Sequence, residues 1–182
     1  MTIPPIPATA SQTIGPFWHL IEHPEWADLS RFGAAGERII LIGRITDGAG
    51  APAPDACVEI WQTDPPAGEK FPGFGRARTD AGGEFRFTTI RPGPLPGRGN
   101  TQQAPHIAIA IQARGLMQAL LTRAYFADEK LNETDPVLHV IEPAGRRATL
   151  VAMPAGATVA GEAIWRLDIR LQGAGETVFL AV

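Results

Sequence analysis

The chain has 182 residues, 45% of them apolar and 19% charged, with a formal charge of −3 and a sequence pI near 5.8. That size and balance describe a single globular domain with a real core and exclude a disordered chain. A weakly acidic chain without a basic cluster is a poor partner for nucleic acid or an anionic membrane.

The single cysteine, Cys57, allows no internal disulfide and fits a reducing compartment. The opening MTIPPIPATASQT has neither the basic nor the apolar region of a secretory signal. No apolar run approaches the roughly 18 residues of a membrane helix. The expectation is a cytoplasmic protein. The 20 glycines and 17 prolines fall between apolar runs, as turn residues do among many short strands.

Residues 1–36 read as an N-terminal arm or cap. Pro4, Pro5 and Pro7 hold its start extended, because proline fixes φ and restricts its predecessor. SQTIGPFWHLIE follows, with two aromatics and a Gly15-Pro16 turn. An arm this apolar must pack, on its own sandwich or on another chain; the expectation here is a partner chain.

One β-domain is expected over 37–182. ERIILIGRI is a first strand, and in CVEIWQTD the residues Cys57, Glu59 and Trp61 alternate with Val58, Ile60 and Gln62. RARTDAGGEFRFTTI holds two strands around an Asp80–Gly83 turn, with Phe85 and Phe87 on one face. After the irregular PGPLPGRGNTQQAP, HIAIAIQARG sets Ile107, Ile109 and Ile111 against His106, Ala108 and Ala110. LLTRAYF completes a hairpin past Arg114-Gly115, and a helix is plausible only near 126–134. VLHVI, ATLVAM, AIWRLDIRL and TVFLA are further strand candidates, about ten in all at regular spacing. The fold class is all-β, an antiparallel β-sandwich with an extended N-terminal arm.

The succession GRITDGAGAPAPDACVEIWQTD, RTDAGGEFRFTTIRPG and APHIAIAI, with SQTIGPF before it and LDIRLQGAGETVF after it, resembles the intradiol ring-cleavage dioxygenases over nearly the whole chain. The resemblance implies a transthyretin-like β-sandwich and a ferric site, Fe(3+), held by two tyrosinates and two histidines. An arginine stands nearby in an R-P-A-H-I-H stretch. Phenolate oxygen and imidazole nitrogen suit a hard ferric ion, and histidines two apart on a strand point the same way.

Carried onto this chain, the ligand pattern is lost. His106 matches the first strand histidine, but Ala108 replaces the second and Gln103 replaces the arginine. Leu95 stands for one tyrosine, and Lys70 (or Phe71, with a gap) for the other. The sole tyrosine, Tyr125, belongs to a different strand, and His19, His23 and His139 form no close pair on a strand. The expectation is a vestigial pocket filled by side chains, with no metal on this chain.

Such loss has a counterpart in the family. Its protocatechuate-cleaving members pair two homologous sandwiches, a beta subunit that holds the iron and an alpha subunit that lines the mouth of beta's site. The resemblance therefore implies a hetero-oligomer with a homologous beta subunit. It also implies O2-dependent cleavage of 3,4-dihydroxybenzoate (protocatechuate) to 3-carboxy-cis,cis-muconate in the β-ketoadipate route. Two further features match the alpha pattern, the Ser11–Pro16 arm and Arg114 in QARG. Thr13, Gly15, Pro16 and Arg114 are the expected substrate-side residues, because a guanidinium pairs bidentately with a carboxylate.

Each has an ordinary reading as well. Arg114 alone would be a surface arginine beside a glycine turn, and Thr13–Pro16 a turn in a packing arm. Phe17 and Trp18 read as packing anchors, Arg146-Arg147 as a solvated cluster, and Cys57 as a buried, inert thiol. The alternative for the whole chain is a transthyretin-like binding module without catalytic role.

Overall fold

Alternation of side chains builds the sheet. In β7 (His106–Gln112) Ile107, Ile109 and Ile111 are buried in the main core, while His106, Ala108 and Ala110 take the opposite face. The computed structural model describes residues 8–181, so the prolines at 4, 5 and 7 lie outside the described residues. The other strands are β1 (Arg38–Thr46), β2 (Cys57–Trp61), β3 (Phe74–Arg78), β4 (Glu84–Ile90), β5 (Leu95–Pro96), β6 (Gln102–Gln103), β8 (Leu120–Phe126), β9 (Val151–Ala157), β10 (Ala163–Arg166) and β11 (Ile169–Arg170). One short helix, α1 (Pro136–His139), and four 3-10 segments complete the regular elements among the described residues.

Nine strands form one continuous sheet in the order β11-β1-β10-β9-β8-β7-β2-β3, with β4 also on β1. Strand β9 joins the two wings: Val151 and Ala152 pair with β8, and Met153, Pro154 and Ala157 pair with β10. The sheet doubles back, so that Leu41 and Phe87 of one wing share a core with Val58 and Ile109 of the other. A second cluster, with Tyr125, Leu138, Ile141, Leu150 and Val178, covers the outer face of the β7–β8 hairpin.

The structure corrects several expectations. The sheet is mixed, because β1 pairs in parallel with β10 and β11, and β8 with β9. A tight turn forces antiparallel pairing, but the long connection at 127–150 returns the chain to run the same way. Within it VLHVI is not a strand. Pro136 begins α1 and the Asp135 carboxylate accepts the Val137 and Leu138 N–H groups, an N-cap that diverts the apolar run into a helical turn. Ala148–Leu150 close a 3-10 segment before β9 begins. TVFLA lies extended but in no ladder; Thr177 and Leu180 each donate one backbone hydrogen bond, to Arg170 and Leu121. Near 126–134 only a 3-10 turn, Lys130–Glu133, forms.

Trp18 and Leu29 fasten the described part of the arm to its own domain. Trp18 is buried and its Nε1 donates to the Asp55 carbonyl at 2.9 Å. Leu29 is wholly buried in the main core, its N–H bonded to the Thr88 carbonyl. Phe17, Leu20 and Ile21 remain exposed. Among the described residues no helix is long and apolar enough to cross a membrane.

Gly43 marks a tight crossing. A Cβ there would strike the Leu167 carbonyl oxygen and come within 2.6 Å of the Phe85 ring. Gly43→Ala should lower stability by about 1–3 kcal/mol, the usual cost of overpacking. A urea midpoint equal to wild type would mean that Leu167 moves away at no cost.

Candidate functional site

The outer face of the β7–β8 hairpin carries the residues of interest. Register pairs His106 with Tyr125 and Ala108 with Arg123, so four side chains share one patch. His106 is buried, and its Nδ1 donates to the Ala104 carbonyl at 2.8 Å. Its ring lies 5.3 Å from that of Tyr125, centroid to centroid. Opposite Ala108, where the small side chain leaves room, stands the Arg123 guanidinium. Its Nη1 donates to Gln103 Oε1 at 2.8 Å and to the Tyr125 hydroxyl at 3.1 Å.

Asp135 completes the network. Its carboxylate has no exposed surface, and Oδ1 accepts from the Tyr125 hydroxyl at 3.2 Å and from the Val137 and Leu138 N–H groups. The other oxygen accepts from the Ala104 N–H at 2.8 Å. Its donors come from the peptide between β6 and β7, from strand β8 and from the first turn of α1, and together they satisfy the buried carboxylate.

Burial sets the titration of the patch. It pushes the His106 pKa down, with Arg123 adding to the effect against the opposing Ala104 hydrogen bond and Asp135 charge. It pushes the Tyr125 hydroxyl up, above the ordinary phenol value, despite the Arg123 cation beside it. His106 is therefore the neutral imidazole near pH 7 and Tyr125 the neutral phenol.

These residues do not fit a ferric ion. The patch offers one imidazole and one hydroxyl already shared between Arg123 and Asp135, with a guanidinium among them. Leu95, in β5, pairs with Gln103, whose amide nitrogen donates to Pro96. Lys70 is exposed at the turn bridging Gly68 and Phe71, and Phe71 is buried in the core. Neither offers an oxygen donor.

The arm residues meet the β7–β8 turn. Thr13 Oγ1 donates to the Ala113 carbonyl at 2.9 Å and accepts from the Gly115 N–H at 2.9 Å. It thereby clasps the two peptides on either side of Arg114, whose own side chain is exposed. Gly15 adopts φ +74°, a left-handed turn that lets the chain swing back across the sheet. Pro16 and its neighbours then wall a cleft of about 470 Å³ over Cys57, Arg76 and Gln112. Burial, reinforced by Glu59, pushes the Cys57 thiol up to about 12, so it is not a nucleophile at neutral pH.

The sequence pointed to His106, Ala108, Arg114 and Thr13 but missed Arg123 and Asp135. Asp135-Pro136 is a legible helix-start signal. Arg123 could be found only from the hairpin register, which no local pattern states.

The family model described as Dioxygenase matches residues 27–173. The protocatechuate 3,4-dioxygenase alpha chain of Pseudomonas putida is 39% identical over 201 aligned residues, covering 98% of both chains. The protocatechuate 3,4-dioxygenase beta chain of Burkholderia cepacia is 32% identical, covering 78% of this chain and 67% of its own length. Among solved structures, the dioxygenase domain of a dioxygenase carbohydrate-binding protein fusion from Streptomyces sp. SirexAA-E superposes with a TM-score of 0.64. It is 25% identical over 93% of this chain and 99% of that one.

The depressed His106 pKa carries a pH signature. Between its folded value and 6.5 the unfolded chain binds the extra proton, so stability is lost as pH falls below 6.5. Urea midpoints at about pH 7.5 and about pH 5.5 should separate in the wild type and converge in His106→Gln. An unchanged separation in the variant would place the acid sensitivity elsewhere.

Proposed function

Since the chain belongs to the intradiol ring-cleavage dioxygenase family, we propose that it is the iron-free alpha subunit of a protocatechuate 3,4-dioxygenase. Its doubled-back sheet is then a transthyretin-like sandwich, and a homologous beta subunit in the same cytoplasmic assembly holds the Fe(3+). The assembly breaks the bond between the two hydroxylated carbons of 3,4-dihydroxybenzoate. Both atoms of O2 enter the product, 3-carboxy-cis,cis-muconate, in which each of those carbons has become a carboxyl carbon.

The observation that carries this reading is the Arg123 guanidinium across from Ala108. Where the resemblance calls for a second histidine and a metal, this chain has a methyl group and an organic cation held by Gln103 and Tyr125. A ferric ion beside that cation would be repelled, so redox chemistry falls to the sister chain. This chain contributes the wall of the sister's site. Thr13 bonds both peptides flanking Arg114, which supports a rigid turn that holds an exposed guanidinium toward a substrate carboxylate. The exposed Phe17, Leu20 and Ile21, projecting beside the anchored Trp18, supply apolar area for the subunit boundary.

Three measurements test this. Purified without a sister chain, the protein should hold no stoichiometric ferric iron and lack tyrosinate-to-iron absorption; a one-to-one iron content with that colour overturns it. Co-expressed with an iron-holding sister, it should co-purify and take up O2 with protocatechuate, and a chain that ignores the sister in sedimentation counts against the pairing. In the assembled enzyme Arg114→Ala should cut kcat/KM for protocatechuate about ten-fold or more, because a charge-assisted hydrogen bond contributes about 1.5–3 kcal/mol. Catechol, which has no carboxylate, should lose little. Equal losses for both substrates would assign Arg114 to the interface instead.

A further inference from the structure

Arg123 has a second edge that the network does not use. Both of its hydrogen bonds leave from Nη1, and among the described residues Nε and Nη2 have no partner. Nor does the guanidinium have an acid within ion-pair distance there. The nearby Asp135 is occupied by three N–H groups and the Tyr125 hydroxyl. A half-buried cation with three of its five N–H donors idle is an unbalanced arrangement in an otherwise satisfied patch.

Arg123 also lines a cleft of about 470 Å³ between the β5–β6 hairpin and α1. Its wall carries a second cation, Arg98, and none of the lining residues is acidic. The opposite wall is apolar: Pro136, Val137 and Val140, the last of them 78% exposed at the rim. A volume of this order suits a small molecule, and the Nε–Nη2 edge of a guanidinium matches the two oxygens of a carboxylate.

We propose that this cleft binds a small aromatic carboxylate, with the carboxylate on Arg123 and Arg98 and the ring against Pro136, Val137 and Val140. The site involves no metal and is independent of the catalytic reading above, since Arg114 and the arm take no part in it. An ion pair formed there is partly shielded from water, which raises its strength over that of a surface pair.

Equilibrium dialysis of benzoate against the full-length chain, as purified, tests the site. The wild type should show one saturable benzoate site per copy that Val140→Glu lacks. That substitution is at an exposed position, so it adds a repelling charge to the mouth without disturbing the core. A site on any co-purified chain is counted equally in both proteins and cancels. Arg123→Gln should weaken binding about ten-fold or more, the usual effect of losing a charge-assisted pair. Benzamide, neutral but the same shape, should fail to displace benzoate, and acetate, which lacks the ring, should displace it poorly. Equal benzoate counts in the wild type and Val140→Glu would overturn the proposal. So would displacement by benzamide as effective as by benzoate itself.

Discussion

A carboxylate with no contact with water organises the working face of this protein. Asp135 lies in the crossover between β8 and β9, yet its oxygens are bonded to Ala104 at the entrance to β7, to Tyr125 on β8 and to the first turn of α1. A buried charge is tolerable only when its partners surround it, so all three elements must be in register before any of the bonds is useful. The crossover is thereby held over the outer face of the hairpin, and the second apolar cluster closes beneath it.

From that anchor the chemistry of the patch follows. Tyr125, donating to Asp135, keeps its proton and turns its lone pairs toward Arg123. Arg123 in turn ties Gln103, and with it the short β5–β6 hairpin, to the main sheet, while Gln103 closes that hairpin by donating to the Pro96 carbonyl. Small changes have a large consequence: Ala108 in β7 leaves room for a long side chain from β8, and that guanidinium links Tyr125 to Gln103.

The junction of the arm with the β7–β8 turn has a different logic. It depends on a single hydroxyl, Thr13, that donates and accepts across one turn. The arm has little regular structure, and Trp18 and Leu29 supply its attachment to the core. Between Thr13 and the buried Trp18 the chain shapes a surface: Gly15 takes a left-handed turn, and Pro16 and Phe17 wall the cleft above Cys57. Loops anchored at both ends on a rigid sheet are where recognition residues are usually found.

The sequence by itself determined a good deal. Period-two apolarity identified β1, β2, β4, β7 and β8, because burial on one face demands alternation. Residue identity at Lys70, Leu95 and Ala108 argued against the family's ligand set, because leucine and alanine carry no donor atom and lysine offers an ammonium in place of a phenolate. Tertiary structure decided what depends on register and on distant partners. It separated VLHVI from the strands, since the Asp135 cap outweighs the strand preference of valine and isoleucine. It also set β9 parallel to β8, with the whole crossover between them. Most consequentially, it put Arg123 opposite Ala108 and Tyr125 beside His106. A one-residue slip of the hairpin would have turned both side chains into the core. The pattern along either strand says which face is apolar, but only the pairing of the two says which polar residues meet.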